Sequence, residues 1–484
     1  MTPNCASGYK NDVMEKVCAS PEEALADLQD GASIAVSGFG TSYGFACSLL
    51  VAARDKGVRN LTLVSNGLGA VGQLRGMLLV ASGQVSKLIV SFSSRPGMRT
   101  PADDLIESGD IEVELVPQGI LVERMRAAGA GIPAFFSPTG VGTPIAEGKE
   151  VRYFDGKPHI LEQALPVDYA FLKAYRGDRL GNIEMRGSSR NFNPAFAKAA
   201  RHAIVEVDEI VDVGEIDPER VGLPAILVDR VVKKTVEPDQ ARLAPRRAAD
   251  KPREYNGKPS WTRHEMARRT AELLEEGSYV NLGTGIPTLV SNYIQGRDIT
   301  LHGENGILGY GRMVDGEEVD HDVFNASGQF VEAMPGVSYF DSVTSFEMAR
   351  SGKLGAVVLG AYQVDAAGNL ANFSLGDPRL GGIGGAMDLV AGKQQLIIMM
   401  EHRDSQGRAK LVRQSQFPLT GVDCVDVVVT DLAVLRRLNG NFVVEQIAEG
   451  FTFDELQGLT DLKLSAISHQ PSANRRESSA VVLD

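Results

Sequence analysis

The stretch Asp30-Gly31-Ala32-Ser33-Ile34-Ala35-Val36-Ser37-Gly38-Phe39-Gly40 decides the fold, because a similar stretch opens the second half of the chain. It reads as a tight turn, an apolar strand and a glycine turn. Its second version is Glu276-Gly277-Ser278-Tyr279-Val280-Asn281-Leu282-Gly283-Thr284-Gly285. Each copy is followed by a helical stretch and then by a second matching strand. Asn60-Leu61-Thr62-Leu63-Val64-Ser65-Asn66-Gly67 pairs with Asp298-Ile299-Thr300-Leu301-His302-Gly303-Glu304-Asn305-Gly306. Self-similarity at this scale marks an internal duplication. Further strand-like runs at 88–92, 112–116 and 203–207 alternate with helical segments such as 21–29, the pattern of a mostly parallel α/β sheet. The expected fold is α/β, with two similar open α/β domains. The expected domains are 1–232, a linker over 233–263 rich in charge and proline, a second domain over 264–470 and a flexible tail over 471–484.

The length agrees, since 484 residues exceed what one core usually organises. A net charge of −13 argues against nucleic acid, which requires a basic face. Cys5, Cys18, Cys47 and Cys424 are scattered without a CxxC, which fits a reducing compartment. With no apolar leader visible in 1–16, the expected location is the cytoplasm. No uninterrupted apolar run approaches the roughly 20 residues of a membrane span, so no membrane partner is expected.

Two copies packed face to face would bring their strand-end loops into one cleft, where open α/β sheets bind ligands. Asn66 and Glu304 occupy matching strand ends and would both face it. A carboxylate among glycines, as Glu304 is in Gly303 to Gly311, can serve as nucleophile or base. His302 reads as a packed or orienting residue rather than a base. A second glycine cluster, Gly381-Gly382-Ile383-Gly384-Gly385, offers backbone N–H groups that can hold an oxyanion. Gly67-Leu68-Gly69-Ala70-Val71-Gly72 has the form of a dinucleotide fingerprint but no acid about 20 residues on. The seven histidines show no HExxH or HxxxH spacing, so no metal is expected.

Together these segments resemble the family I CoA-transferases. Leu301-His302-Gly303-Glu304-Asn305-Gly306-Ile307-Leu308-Gly309 resembles that family's active-site signature, and Ser37-Gly38-Phe39-Gly40 its N-terminal glycine signature. Pro117-Gln118-Gly119, Arg190-Asn191-Phe192-Asn193 and Gly384-Gly385-Ala386-Met387-Asp388 fall in the family order, and the resemblance runs from about residue 14 to 468. It is nearest to the 3-oxoacid and bacterial short-chain members, with both subunits fused.

The resemblance implies CoA transfer between an acyl-CoA and a short-chain carboxylic acid or 3-oxoacid, with CoA as substrate and no permanent cofactor. It implies a homodimer or homotetramer. It implies Glu304 as the residue that becomes a glutamyl-CoA thioester. Asn66, Gln118, Gly385 and Ala386 match positions near the reacting carboxylate or its oxyanion, Asn281 one near bound CoA, and Gly384 is expected to bind substrate or CoA. Gln329, also expected to contact substrate or CoA, stands where relatives often carry Lys, Gly303 where the signature has Ser, and Ala46 where Pro is usual. The loop from Ser93 to Gly97 departs from the ketone-body members. Two other readings remain at this level: an acyl-CoA hydrolase on the same fold, and a nucleotide-binding protein resting on 67–72.

Overall fold

The computed structural model describes residues 15–40, 44–94, 99–237, 250–392 and 394–466. Two large sheets dominate it. Along its main path the first runs Val17–Cys18, Arg230–Lys233, Ala200–Val211, Val167–Asp178, Ser33–Val36, Leu61–Gly67, Val85–Phe92 and Glu112–Leu115, and every neighbouring pair is parallel. The strands are near-continuous apolar runs because helices cover both faces of such a sheet. Leu61–Gly67 is buried at every position but Thr62.

The second sheet repeats its centre. Ile299–Gly303, Ser278–Leu282, Ala356–Leu359, Gln395–Met399 and Val427–Val429 lie side by side and parallel. In the first sheet the same places are held by Leu61–Gly67, Ser33–Val36, Val167–Asp178, Ala200–Val211 and Arg230–Lys233. The two matched segments of the sequence are therefore the same two adjacent strands in each half.

The halves diverge at the end of that second strand. After Leu61–Gly67 the chain continues to another parallel strand. After Ile299–Gly303 it reverses through residues 304–306 and returns antiparallel as Ile307–Met313, with Gly303 opposite Ile307. Gly306 makes this possible. Its φ is +99°, and a Cβ there would lie 2.0 Å from the carbonyl oxygen of Phe340, so only glycine fits.

The cores interlock. One face of the first sheet packs with Phe373, Ile383 and Met387 of the second half, and the other with Phe324, Val343 and Phe346. Of the stretch 233–263 expected as a linker, residues 238–249 lie outside the described residues, as does the expected tail 471–484. Residues 250–262 pack into the second half instead. Glu254–Tyr255 pairs with Lys258–Pro259. Buried Tyr255 donates to Asp431 Oδ2 at 2.9 Å, and Trp261 Nε1 donates to Glu449 Oε2 at 2.8 Å.

Candidate active site

Glu304 sits at the tip of the 303–307 reversal and is 6% exposed. It borders two adjoining clefts. One, of about 590 Å³, is lined by Phe39, Asn66, Arg75, Gln118 and Gly328 among others. The other, of about 330 Å³, is lined by Thr284, Pro287, Ala361, Gly385 and Met400 among others. Asn66 and Glu304 therefore share a cleft. Among the described residues no hydrogen bond holds the Glu304 carboxylate. Burial, reinforced by the nearby charge of Asp388, pushes its pKa up to about 8. Among the described residues no ion pair holds this carboxylate, which leaves its oxygens available to a substrate.

The neighbouring His302 is the opposite case. It is fully buried, bonded through Nδ1 to Asn281 Nδ2 at 3.0 Å and through Nε2 to Ser345 Oγ at 3.0 Å. Burial pushes its pKa down to about 4, so it is neutral and fixed. It orients the strand end and does not reach the clefts.

The glycine run 381–385 is wedged against the first half. Gly382 bridges Phe92, and Ser93 N–H donates to Gly381 O at 2.9 Å. A Cβ on Gly382 would meet the Phe92 ring at 2.4 Å. Gly384 N–H donates to Ser91 O at 3.3 Å, and Ala386 N–H donates back to Ile383 O at 3.3 Å. Among the described residues no hydrogen bond takes the Gly385 N–H, which precedes the helix Ala386–Val390. A Cβ on Gly385 would stand 2.5 Å from Glu304 Oε2. The backbone at 385 thus lies directly against the carboxylate.

Gln118 bridges the site from the other half. Its N–H donates to Gly384 O at 2.9 Å, and its Nε2 donates to Asn66 Oδ1 at 2.6 Å. The second bond turns the donor end of the Asn66 amide away from Gln118, and both residues line the larger cleft.

Two expected site residues, and the glycine that departs from the signature, have other surroundings. Asn281 is fully buried and lines neither cleft; its amide holds His302. Gln329 Oε1 accepts from Asn325 Nδ2 at 3.1 Å and shapes the loop whose neighbours Ala326, Ser327 and Gly328 line the cleft. At Gly303 a Cβ would meet Asn305 Oδ1 at 2.7 Å and Ile307 Cγ2 at 2.8 Å, so the turn has closed around the glycine. The 67–72 motif does not open a helix. The next helix is Met77–Ala81, so the helix N-terminus that binds a pyrophosphate is absent there. Asp388 and Arg75 have no role in the sequence motifs. Both are charged residues in segments otherwise rich in glycine or apolar residues, and that contrast was the available signal. Among the described residues no three His, Cys, Asp or Glu groups cluster as a metal site, and no helix is long and apolar enough to cross a membrane.

A duplicated α/β fold with a buried, unneutralised carboxylate between two clefts defines a group-transfer enzyme. The chain belongs to the coenzyme A transferase family, whose model matches residues 18–234 and 263–457. It is a CoA-transferase, moving CoA between acyl-CoA and carboxylic acids. It is 40% identical over 468 residues to the rat mitochondrial succinyl-CoA:3-ketoacid coenzyme A transferase 2A, covering 92% of this chain and 88% of the relative. The human mitochondrial succinyl-CoA:3-ketoacid coenzyme A transferase 2 is 38% identical over 467 residues, covering 92% and 89%. The crystal structure of an Escherichia coli O157:H7 acyl-CoA transferase shares the fold, with a TM-score of 0.76 at 22% identity over 95% of each chain. The cytoplasmic expectation does not stand, because these full-length mammalian relatives are mitochondrial. Scattered cysteines fit any reducing compartment, so they could not separate the two.

Proposed function

We propose that Glu304 carries CoA covalently between an acyl-CoA donor and a 3-oxoacid acceptor. The observation that carries this reading is the position of its unbonded carboxylate at the junction of the two clefts. The larger cleft receives the acids. The smaller, with Pro287, Ala361 and Met400 on its wall, suits the thin pantetheine arm. The acceptor class rests on the names of the relatives, which act on 3-ketoacids. Coenzyme A is a substrate, no permanent cofactor takes part, and the working form is a homodimer or homotetramer.

The carboxylate of Glu304 attacks the acyl-CoA carbonyl carbon. The C–S bond breaks, giving a mixed anhydride and CoA thiolate. The thiolate attacks Cδ of Glu304, the anhydride C–O bond breaks, and the first acid leaves as carboxylate. Glutamyl-CoA remains, and the second acid runs the steps in reverse. Each addition builds an oxyanion. The free N–H of Gly385 and the Nδ2 of Asn66 are the donors placed to meet it, and one such donor is worth about 3–4 kcal/mol.

The test is incubation with succinyl-CoA and no acceptor, followed by peptide mass analysis. CoA mass on the peptide containing Glu304, lost in Glu304→Ala, supports the reading; an adduct on a cysteine, or exchange surviving in Glu304→Ala, defeats it. A panel of acceptor acids then fixes specificity, and release of free CoA without an acceptor identifies a hydrolase instead.

A further inference from the structure

Asp388 lies on the first turn of the helix that begins after Gly385, and it is fully buried. Its carboxylate crosses the boundary between the halves. It accepts from Gly119 N–H at 2.8 Å and Thr139 Oγ1 at 3.2 Å in the first half, and from Arg350 Nη1 at 3.1 Å in the second. Arg350 Nη2 in turn donates to Glu123 Oε1 at 2.6 Å, back in the first half. Packing has closed on this arrangement: a Cβ on Gly119 would lie 2.3 Å from Asp388 Oδ1 and 2.6 Å from Arg350 Nη1.

The placement matters because of what stands next to each partner. Gly119 follows Gln118, which holds Asn66. Asp388 follows Gly385 by three residues. We propose that Asp388 is a positioning residue of the transfer reaction, locking the Gly385 N–H and the Asn66 amide, one from each half, into a single arrangement around Glu304. This rests on the reading of Glu304 as nucleophile. Apolar packing would join two surfaces with less desolvation. A carboxylate adds three directional bonds, which fix orientation to the tolerance that transition-state donors require.

The same group has an electrostatic consequence. Near Glu304 are Asp388 from its helix and the Tyr310 phenol from the returning strand, and Arg75 lines the same cleft; His302 at the preceding strand end is neutral and turned inward to Asn281 and Ser345. Arg350 and Glu123 stand behind Asp388 and oppose each other in sign. Burial pushes the Asp388 carboxyl up while Arg350 and its hydrogen bonds hold it down; when ionised, it is the nearby charge that resists ionisation of Glu304.

The experiment is Asp388→Asn in the full-length protein, with kcat, KM for succinyl-CoA and the pH profile of kcat/KM measured. The expected result is a kcat lower by on the order of 100-fold with KM changed less than about threefold, and an ionisation limb moved to lower pH. A wild-type kcat, or a KM that rises in step with the lost kcat, overturns the proposal; a limb that does not move overturns the electrostatic consequence. Thr139→Val keeps the charge and removes one bond. It should lower kcat several-fold without moving the limb, and it carries the kcat test if Asp388→Asn lacks the native near-ultraviolet circular dichroism. There, an unchanged kcat overturns the proposal. The two readings fail separately. Absence of CoA on Glu304 in the wild type defeats the nucleophile, whereas a normal adduct with an indifferent Asp388 variant defeats only the positioning role.

Discussion

Gly385 and Glu304 touch: a Cβ on the glycine would fall 2.5 Å from Oε2 and 3.0 Å from Cδ of the glutamate. Gly385 has φ −88° and ψ −1°, values any residue adopts, so backbone freedom is not why glycine is there. The requirement is space: a Cβ would meet the Glu304 carboxylate and also the Phe346 ring, at 2.7 Å. Gly385→Ala should keep the fold, as read by near-ultraviolet circular dichroism, and lose on the order of 100-fold in CoA exchange, because one methyl displaces the reacting group by about 1 Å. Exchange at the wild-type rate would mean that the loop is only a turn.

The ionisation of Glu304 predicts a pH dependence. The nucleophile must be ionised, and burial with Asp388 nearby holds its pKa at about 8. The rate constant kcat/KM for the acyl-CoA should therefore rise with pH and level off above about 8. A profile flat from mildly acidic to alkaline pH would exclude this carboxylate as the rate-setting group.

Stability should run the other way. The folded-state pKa lies above the unfolded value, so the native state binds the proton more tightly. The contribution of protonated Glu304 is fully present below about 4.3 and is lost as pH rises through about 8. The cost to the native state is on the order of 1 kcal/mol per pH unit across that window. Glu304→Gln removes the titration. Its melting temperature should exceed that of the wild type by more at pH 8.5 than at pH 5, as measured by calorimetry. A difference that shrinks with rising pH would contradict the sign.

Much of this site could be read from the sequence, and what could not has identifiable causes. The repeat of Asp30–Gly40 at Glu276–Gly285 exposed the two halves, because strand and turn residues recur together. It could not show that the strand before Glu304 reverses as a hairpin. That depends on Gly306 meeting Phe340, 34 residues later in the chain. Residues 250–262 read as linker because Tyr255 and Trp261 are isolated among charged and polar residues, and their partners Asp431 and Glu449 are distant. Asn281 matched a ligand position by type, yet its neighbour across the sheet, His302, takes its side chain inward. Asp388 went unread because its meaning lies in Gly119 and Thr139 of the other half.

Gly306 itself supplies a prediction for the fold. With φ at +99° and the Phe340 carbonyl 2.0 Å from any Cβ, Gly306→Ala must move either the 304–306 reversal or the strand Val331–Tyr339. Strain of this kind costs about 1–3 kcal/mol for the backbone conformation alone. The variant should melt earlier and lose exchange activity together. A stable variant with normal activity would show that the reversal is not what aims Glu304.

The last prediction concerns the bond from Gln118 Nε2 to Asn66 Oδ1 at 2.6 Å. It leaves Asn66 with its N–H₂ end for the cleft. Gln118→Glu preserves the volume, but the new carboxylate only accepts when ionised. The favoured response is a rotation of the Asn66 amide, which presents its N–H₂ to the new carboxylate and its oxygen to the developing oxyanion. A lost donor replaced by an acceptor should lower kcat by on the order of 100- to 1,000-fold. The effect should nearly vanish when Asn66 is already alanine, because residues acting through one group are not additive. The measurement is the double-mutant cycle of Gln118→Glu with Asn66→Ala, read in kcat. Additive losses would mean that Gln118 acts on the substrate directly and not by turning Asn66.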